Sequence, residues 1–159
     1  MKSKFRFLLS LFLVLVILLN TFPQENIKKV CILYSPSKYK EKLLEKVEVS
    51  LKGTNVFIEK DTFKNIEKYN PKDYDAILLL SGIAAFIPYP KATKYIKKNN
   101  YSSNIVYFCA TYLEKEDVYG FLDKNKIDAI TAASEEENID ETAKKIVDEI
   151  YKIILESNK

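Results

Sequence analysis

The chain of 159 residues contains no histidine, no tryptophan, two cysteines and only three glycines. Without histidine it lacks the commonest general base and metal ligand, and it lacks the Ser-His and Cys-His pairs of many hydrolases. Gly53, Gly82 and Gly120 lie too far apart for the glycine patterns of dinucleotide-binding turns or P-loops. Cys31 and Cys109 form no C-x-x-C pair and, without histidine, no zinc site. We therefore expect no metal site and no conventional glycine-rich nucleotide loop.

The chain also has little excess charge of either sign. Its 25 lysines and arginines nearly balance 22 aspartates and glutamates, so the formal net charge is +3. That excess is too small to indicate nucleic-acid binding, and we expect no nucleic-acid partner. With 47% hydrophobic and 30% charged residues, the composition is that of a globular domain.

The longest uncharged run lies at the N-terminus, where Lys2, Lys4 and Arg6 precede residues 7–23. Its length is at the short end for a membrane-spanning helix and also matches the apolar region of a signal peptide. No pair of small residues suited to cleavage follows the run, so we favour an uncleaved anchor over a cleaved signal or a buried helix.

Both membrane interpretations place the rest of the chain outside the cytoplasm. An uncleaved segment would tether the domain to the membrane through residues 7–23, and a cleaved one would leave it secreted or periplasmic. We accordingly divide the chain into an anchor or signal peptide at 1–23, a linker at 24–27 and one domain at 28–159.

Strand and helix patterns alternate through that domain. Continuous apolar runs at 30–34, 76–80 and 105–110 are typical of strands buried on both faces of a parallel sheet. Two further strands are expected at 55–59 and 127–133. With helices between them, the pattern predicts an α/β fold: a three-layer sandwich around a five-stranded parallel sheet.

The helical patterns differ in strength. Apolar residues recur every three or four positions over 39–51, before Gly53, and over 139–154, after a capping-box pair at 138 and 141. A third helix is expected after Pro90. Two short helices are also predicted, one capped by Thr62 and one over 118–122.

Residues 70–111, NPKDYDAILLLSGIAAFIPYPKATKYIKKNNYSSNIVYFCAT, resemble the flavodoxin family. Flavodoxins typically have a tyrosine-aspartate pair before the third strand, a glycine-containing loop after it, a proline-bearing loop and a fourth strand ending near threonine. The matching residues here are Tyr74, Asp75, Ser81, Gly82, Pro88, Pro90 and Thr111. The resemblance implies the strand order 2-1-3-4-5, with any ligand at the carboxyl ends of the strands.

In flavodoxins a T-x-T-G-x-T loop after the first strand holds the FMN phosphate at a helix N-terminus. The matching residues here are Ser35, Pro36, Ser37 and Lys38. Two hydroxyls and one lysine remain, but Pro36 has no amide hydrogen and no glycine is present. We therefore expect no standard phosphate loop. A plain turn, with Ser35 or Ser37 as the helix N-cap, is the competing interpretation.

The resemblance also implies ligand-binding loops after the third and fourth strands. The candidates to bind there are Ser81, Gly82, Phe86, Tyr89, Thr111, Tyr112 and Tyr119. The four aromatic residues among them could stack on a flat ligand such as the FMN ring, or they could shield the end of the sheet.

We carry three functional hypotheses. The favoured one is a non-catalytic binding or interaction module that has lost the standard FMN loop and takes a protein partner or a small flat ligand at the strand ends. The alternative is an FMN-binding electron-transfer flavoprotein with an altered phosphate loop. The third is a hydrolase or transferase that uses a strand-end hydroxyl such as Ser81, for which the sequence offers no base.

Overall fold

A computed structural model of the chain describes residues 27–52, 54–84, 87–111, 118–133 and 138–156, with only the backbone at 84 and 87. The expected anchor at 1–23 and all but the last residue of the linker lie outside these ranges. In the part of the chain that is described, no helix has the length and apolar character needed to cross a bilayer.

Six strands and three helices run through the described ranges. In chain order they are β1 Lys28–Tyr34, α1 Lys38–Leu51, β2 Val56–Thr62, β3 Ala76–Ala84, β4 Ile87–Pro88, α2 Pro90–Lys98, β5 Ile105–Thr111, β6 Ala129–Ala133 and α3 Ile139–Glu156. Short 3₁₀ turns at Ile66–Lys68 and Pro71–Asp73 lie between β2 and β3.

The five longer strands form a parallel sheet in the order β2-β1-β3-β5-β6. This confirms the predicted α/β class and the order 2-1-3-4-5. The strand β4 was not predicted from the sequence. It pairs antiparallel with the end of β3 and places Pro88 opposite Ile83. Tyr34 pairs with Leu80, and Gly82 with Ala110, so β1, β3 and β5 end at one edge of the sheet.

Apolar layers cover both faces of the sheet, as the three-layer prediction required. On one face α1 and α3 pack together, with Val47, Ile146 and Ile150 fully buried. On the other face α2 buries Tyr95 against a cluster that includes Ile66 of the first 3₁₀ turn. Helices on opposite faces are the usual result of right-handed crossovers between parallel strands.

The helix predicted over 118–122 is wrong, and the short helix expected after Thr62 is present only as the 3₁₀ turn at Ile66–Lys68, without Thr62 as its cap. Thr62 is the last residue of β2, because it pairs with Tyr34 and extends the sheet; Asn65 begins the 3₁₀ turn that follows. Residues 118–122 form turns, since Gly120 has φ +55, in the left-handed region that a helix does not use. The helix stop expected at Gly53 lies outside the described ranges.

Cys31 and Cys109 are buried in β1 and β5, with β3 between them, and no disulfide joins them. Burial raises the pKa of the Cys31 thiol to about 12, and the nearby carboxylates of Glu59 and Asp61 contribute. A thiol with so high a pKa is an inert packing group at neutral pH.

Shortening a buried side chain of α3 should destabilise the whole domain. Ile146→Ala or Ile150→Ala should lower the free energy of unfolding by about 2–5 kcal/mol, because each side chain is fully buried. Urea melts followed by circular dichroism measure the change. Leu155→Ala, at a position 65% exposed on the same helix, is the control and should change stability by less than about 0.5 kcal/mol. Identical melts for all three variants would contradict a core role for α3.

Candidate functional site

The candidate site lies where β1, β3 and β5 end. The chain leaves β1 toward β2 on one side of it, while β3 lies on the other, so the crevice between β1 and β3 is a topological switch point. Only residues 35–37 separate β1 from α1. This short connection brings the N-terminus of α1 to the end of β3, beside Ser81 and Gly82.

The loop after β1 is arranged as a helix cap. The Ser37 hydroxyl accepts a hydrogen bond from the Lys40 amide at 3.3 Å, which confirms the expected N-cap at this position. The Ser35 amide donates to the Leu80 carbonyl at 3.2 Å and so extends the sheet. Pro36 has no amide hydrogen. Ser35 and Pro36 therefore offer no spare amide donor to a phosphate.

Lys40, in the first turn of α1, is the residue of this site that the sequence analysis missed. Its side chain is only 7% exposed, and its Nζ donates to Ser35 Oγ at 2.5 Å. It also lies against Gly82, where an added Cβ would stand 3.3 Å from Nζ. The absence of a side chain at Gly82 therefore makes room for the ammonium group at the end of β3.

The charge of Lys40 is not neutralised by a carboxylate among the described residues. Burial lowers the pKa of its ammonium group from the usual lysine value, and the Cys109 thiol opposes that shift. An ammonium group and a hydroxyl meet here at a helix N-terminus, where the amides of the first turn have no partner within the helix. These are the donors that a bound anion requires.

A signal for Lys40 is present in the sequence. The buried face of α1 includes Leu43, Leu44 and Val47, and Lys40 precedes them by three, four and seven positions. It therefore occupies the apolar stripe of the helix, where a lysine is rarely buried without a partner.

The other polar candidates are distributed around this edge. Lys38 is exposed at the start of α1. Ser81 is fully buried, and its hydroxyl has no hydrogen-bond partner within the described structure. Because side chains alternate along a strand, Ser81 faces the α2 layer while Gly82 faces Lys40. Thr111 donates through its hydroxyl to the Ala132 carbonyl at 3.3 Å, which links β5 to β6.

The aromatic candidates that are described both contact their own domain. Tyr89 stacks on Phe63, with ring centroids 5.5 Å apart and planes at 28°. The Tyr119 hydroxyl accepts a hydrogen bond from the Ala129 amide at 3.4 Å. Both rings are half-buried against the α2 layer. Phe86 and Tyr112 lie outside the described residues, and ligand stacking by any of the four stays a prediction.

No family model matches the sequence, and no curated protein matches it either. Solved structures do match. An archaeal flavodoxin aligns over 79% of this chain and 98% of its own, with 12% identity and a TM-score of 0.53. The flavodoxin of Megasphaera elsdenii aligns over 75% of this chain and 98% of its own, with 15% identity and a TM-score of 0.51.

A flavodiiron protein from Giardia intestinalis gives a TM-score of 0.55 at 14% identity over 82% of this chain. The chain spans only 37% of that protein. Identities this low carry information about architecture and not about chemistry. The similarities therefore show that the described chain has the flavodoxin-like fold.

Proposed function

We propose that the domain is an FMN-binding electron-transfer flavoprotein in which Lys40 and Ser35 take the place of the usual phosphate loop. The observation that carries this proposal is the buried ammonium group of Lys40, which no carboxylate in the described structure neutralises. Its position supports the proposal, because the crevice between β1 and β3 is where ligands bind in folds of this kind.

Burying the lone ammonium group of Lys40 carries a cost in free energy. Removing an ammonium group from water is strongly unfavourable unless an anion or several hydrogen bonds compensate, and the described partner of Lys40 is one serine hydroxyl. A phosphate group would supply the missing charge and accept from both Lys40 Nζ and Ser35 Oγ. The free amides in the first turn of α1 would add to the same interaction.

The ring side of the proposed site depends on the loops after β3 and β5. Gly82 lies next to Lys40, and Phe86, Tyr89, Tyr112 and Tyr119 are the aromatic candidates for ring contact. When bound, FMN supplies one- and two-electron transfer, and the residues of this chain bind and orient it. The described chain shares the flavodoxin-like fold, and a ligand such as FMN would lie in the crevice at its strand ends.

The location of the domain is part of the same proposal. Residues 7–23 would anchor it in a membrane, or export it if they are cleaved, with the flavodoxin-like domain outside the cytoplasm in both cases. Electron transfer would then take place at the outer side of the membrane.

A non-catalytic binding module is the second candidate, and a different observation favours it. The Ser37 hydroxyl caps α1, and the Tyr89 and Tyr119 side chains contact Phe63 and Ala129 of the same domain. Groups that could bind FMN therefore already have intramolecular partners. The full burial of Ser81 argues against the hydrolase or transferase hypothesis, because a substrate would have to reach its hydroxyl.

A flavin titration tests the main proposal. The full chain in neutral detergent, followed by flavin fluorescence, should bind FMN more tightly than riboflavin, because only FMN carries a phosphate. Lys40→Met should weaken FMN binding at least about tenfold, or about 1.4 kcal/mol, and remove the preference over riboflavin. Lys144→Met, at an exposed position on α3, is the matched control and should change neither affinity. If the wild type binds neither flavin, the non-catalytic module becomes the better description.

The lowered pKa of Lys40 predicts that the stability of the ligand-free protein depends on pH. Because its pKa is lower in the folded state, the unfolded chain binds more protons between that value and the usual lysine value of about 10.4. The contribution of Lys40 to stability therefore rises with pH across this interval. Lys40→Met should be the more stable protein near pH 7, and its advantage should shrink toward pH 10.

Thermal melts of both proteins, followed by circular dichroism between about pH 7 and pH 10, measure this difference. Subtracting the two series removes the effects of tyrosine and cysteine ionisation, which both proteins share. A stability difference that does not change with pH would contradict a desolvated, unneutralised Lys40.

A further inference from the structure

The exposed face of α2 is positively charged and has no acidic residue to balance it. The helix contains no aspartate or glutamate, and its four lysines are all exposed: Lys91, Lys94, Lys97 and Lys98. Within the described ranges only Lys98 pairs with a carboxylate, that of Glu67. The other three leave a concentration of positive charge on one side of the domain.

The contrast with α3 shows that this arrangement is particular to α2. On α3, Lys145 pairs with Glu141 at 2.8 Å and Lys152 pairs with Glu149 at 3.1 Å. Those pairs, at spacings of three and four residues, neutralise two of the three lysines of α3 within the helix itself. The lysines of α2 have no such partner, so their field extends from the surface and can attract an acidic molecule.

An apolar cleft of about 230 Å³ lies beside these lysines, lined by Pro88, Pro90, Thr93, Lys94, Lys97 and Phe121. The ring of Phe121 is 79% exposed, and Lys97 Nζ lies 5.7 Å from its centroid. The volume falls below the roughly 300–1,000 Å³ of typical small-molecule sites. It suits a protruding apolar side chain better than a complete small ligand.

Phe121 is held on a fixed stretch of backbone. Val118 and Leu122, on either side of it, are both buried. Gly120, at φ +55, packs so closely on Pro88 that an added Cβ would stand 3.0 Å from the proline Cδ. The backbone that carries Phe121 is therefore packed in place, so that docking against the ring need not order this backbone.

We propose that this surface, the α2 cleft with its lysine rim, docks a partner protein that presents an apolar side chain surrounded by carboxylates. The apolar side chain enters between Phe121 and Pro88, and the carboxylates pair with Lys94 and Lys97. Buried aromatic contacts supply much of the binding energy in protein interfaces, and complementary charges at the rim steer the partners together. The proposal does not depend on flavin binding.

The position of the cleft favours a protein over a lipid surface. Because α2 connects two parallel strands, it runs from the carboxyl edge of the sheet at Pro90 back to the amino edge at Lys98. The chain enters β1 at Lys28, at the amino edge, and only residues 24–27 separate the domain from the apolar run at 7–23. A bilayer holding that run would therefore lie near the amino edge, whereas the two prolines of the cleft, Pro88 and Pro90, lie at the opposite, carboxyl edge.

The test uses a fluorescent peptide in which six glutamates surround one leucine and one phenylalanine. Its anisotropy is measured as full-length protein in neutral detergent is added, at salt concentrations of about 0.02 M and about 0.3 M. We expect binding at low salt that weakens at high salt. The double variant Lys94→Glu and Lys97→Glu, and separately Phe121→Ala, should each lower the affinity at least about tenfold.

Matched controls separate this site from general charge attraction. Lys144→Glu and Leu155→Ala change an exposed lysine and an exposed apolar residue of α3 and should leave the affinity unchanged. Equal losses in the control variants would overturn the proposal, as would no binding at about millimolar peptide. Stronger binding to mixed detergent micelles that contain about 30% phosphatidylserine, dependent on the same three residues, would assign the surface to lipid instead.

Discussion

The position of β1 between β2 and β3 is the constraint on which the rest of the structure depends. Its backbone pairs on both sides, and the side chains of residues 30–33 are fully buried on both faces of the sheet. A strand enclosed in this way has no freedom to shift its register. The loop that follows it must therefore open at the switch point, and α1 must begin beside the end of β3. This arrangement determines where each group of the candidate site lies.

Burying the charge of Lys40 is the energetically unfavourable part of this arrangement. The first turn of α1 directs the third residue of the helix toward Gly82, and the packing of α1 on the sheet then shields its charge from water. An apolar residue at this position would pack without such a penalty. Features of this kind, which break a local rule of folding without stabilising the protein, are typical of binding sites. In the site proposed above, the charge of Lys40 would take the place of the backbone amides that a glycine-containing loop supplies.

The sequence predicted the central sheet because its three buried strands are continuous apolar runs, a pattern that parallel strands produce when both faces are covered. It also predicted Ser35 or Ser37 as the N-cap of α1, and Ser37 is the residue that caps it. The prediction of a helix cap at Thr62 was wrong, because pairing with β1 extends β2 through that residue. The prediction of a helix around Gly120 was wrong, because this glycine packs closely on Pro88 in a turn. These are tertiary effects that local periodicity does not contain. The two-residue strand β4 was missed because it holds a proline and exists only through its pairing with β3.

For the same reason, the sequence predicted only part of the candidate site. Loop residues could be chosen by their position after each strand, but which of their donors are already used depends on contacts between distant parts of the chain. Lys40 was visible in the sequence as a charge on the apolar face of α1, although the proximity of Gly82 could not be read from residues more than forty positions apart.

The separation of Cys31 and Cys109 has a consequence for how the domain reaches its native state in an oxidising compartment. Two strand spacings, or roughly 10 Å, divide β1 from β5, whereas a disulfide requires α-carbons within about 7 Å. In the unfolded chain both thiols are exposed and react at their ordinary pKa, so nothing prevents them from being oxidised to each other. Such a cross-link would block insertion of β3 between β1 and β5. If the domain is exported as proposed, formation of the sheet would therefore have to outpace thiol oxidation, and after that the burial of both cysteines would protect them.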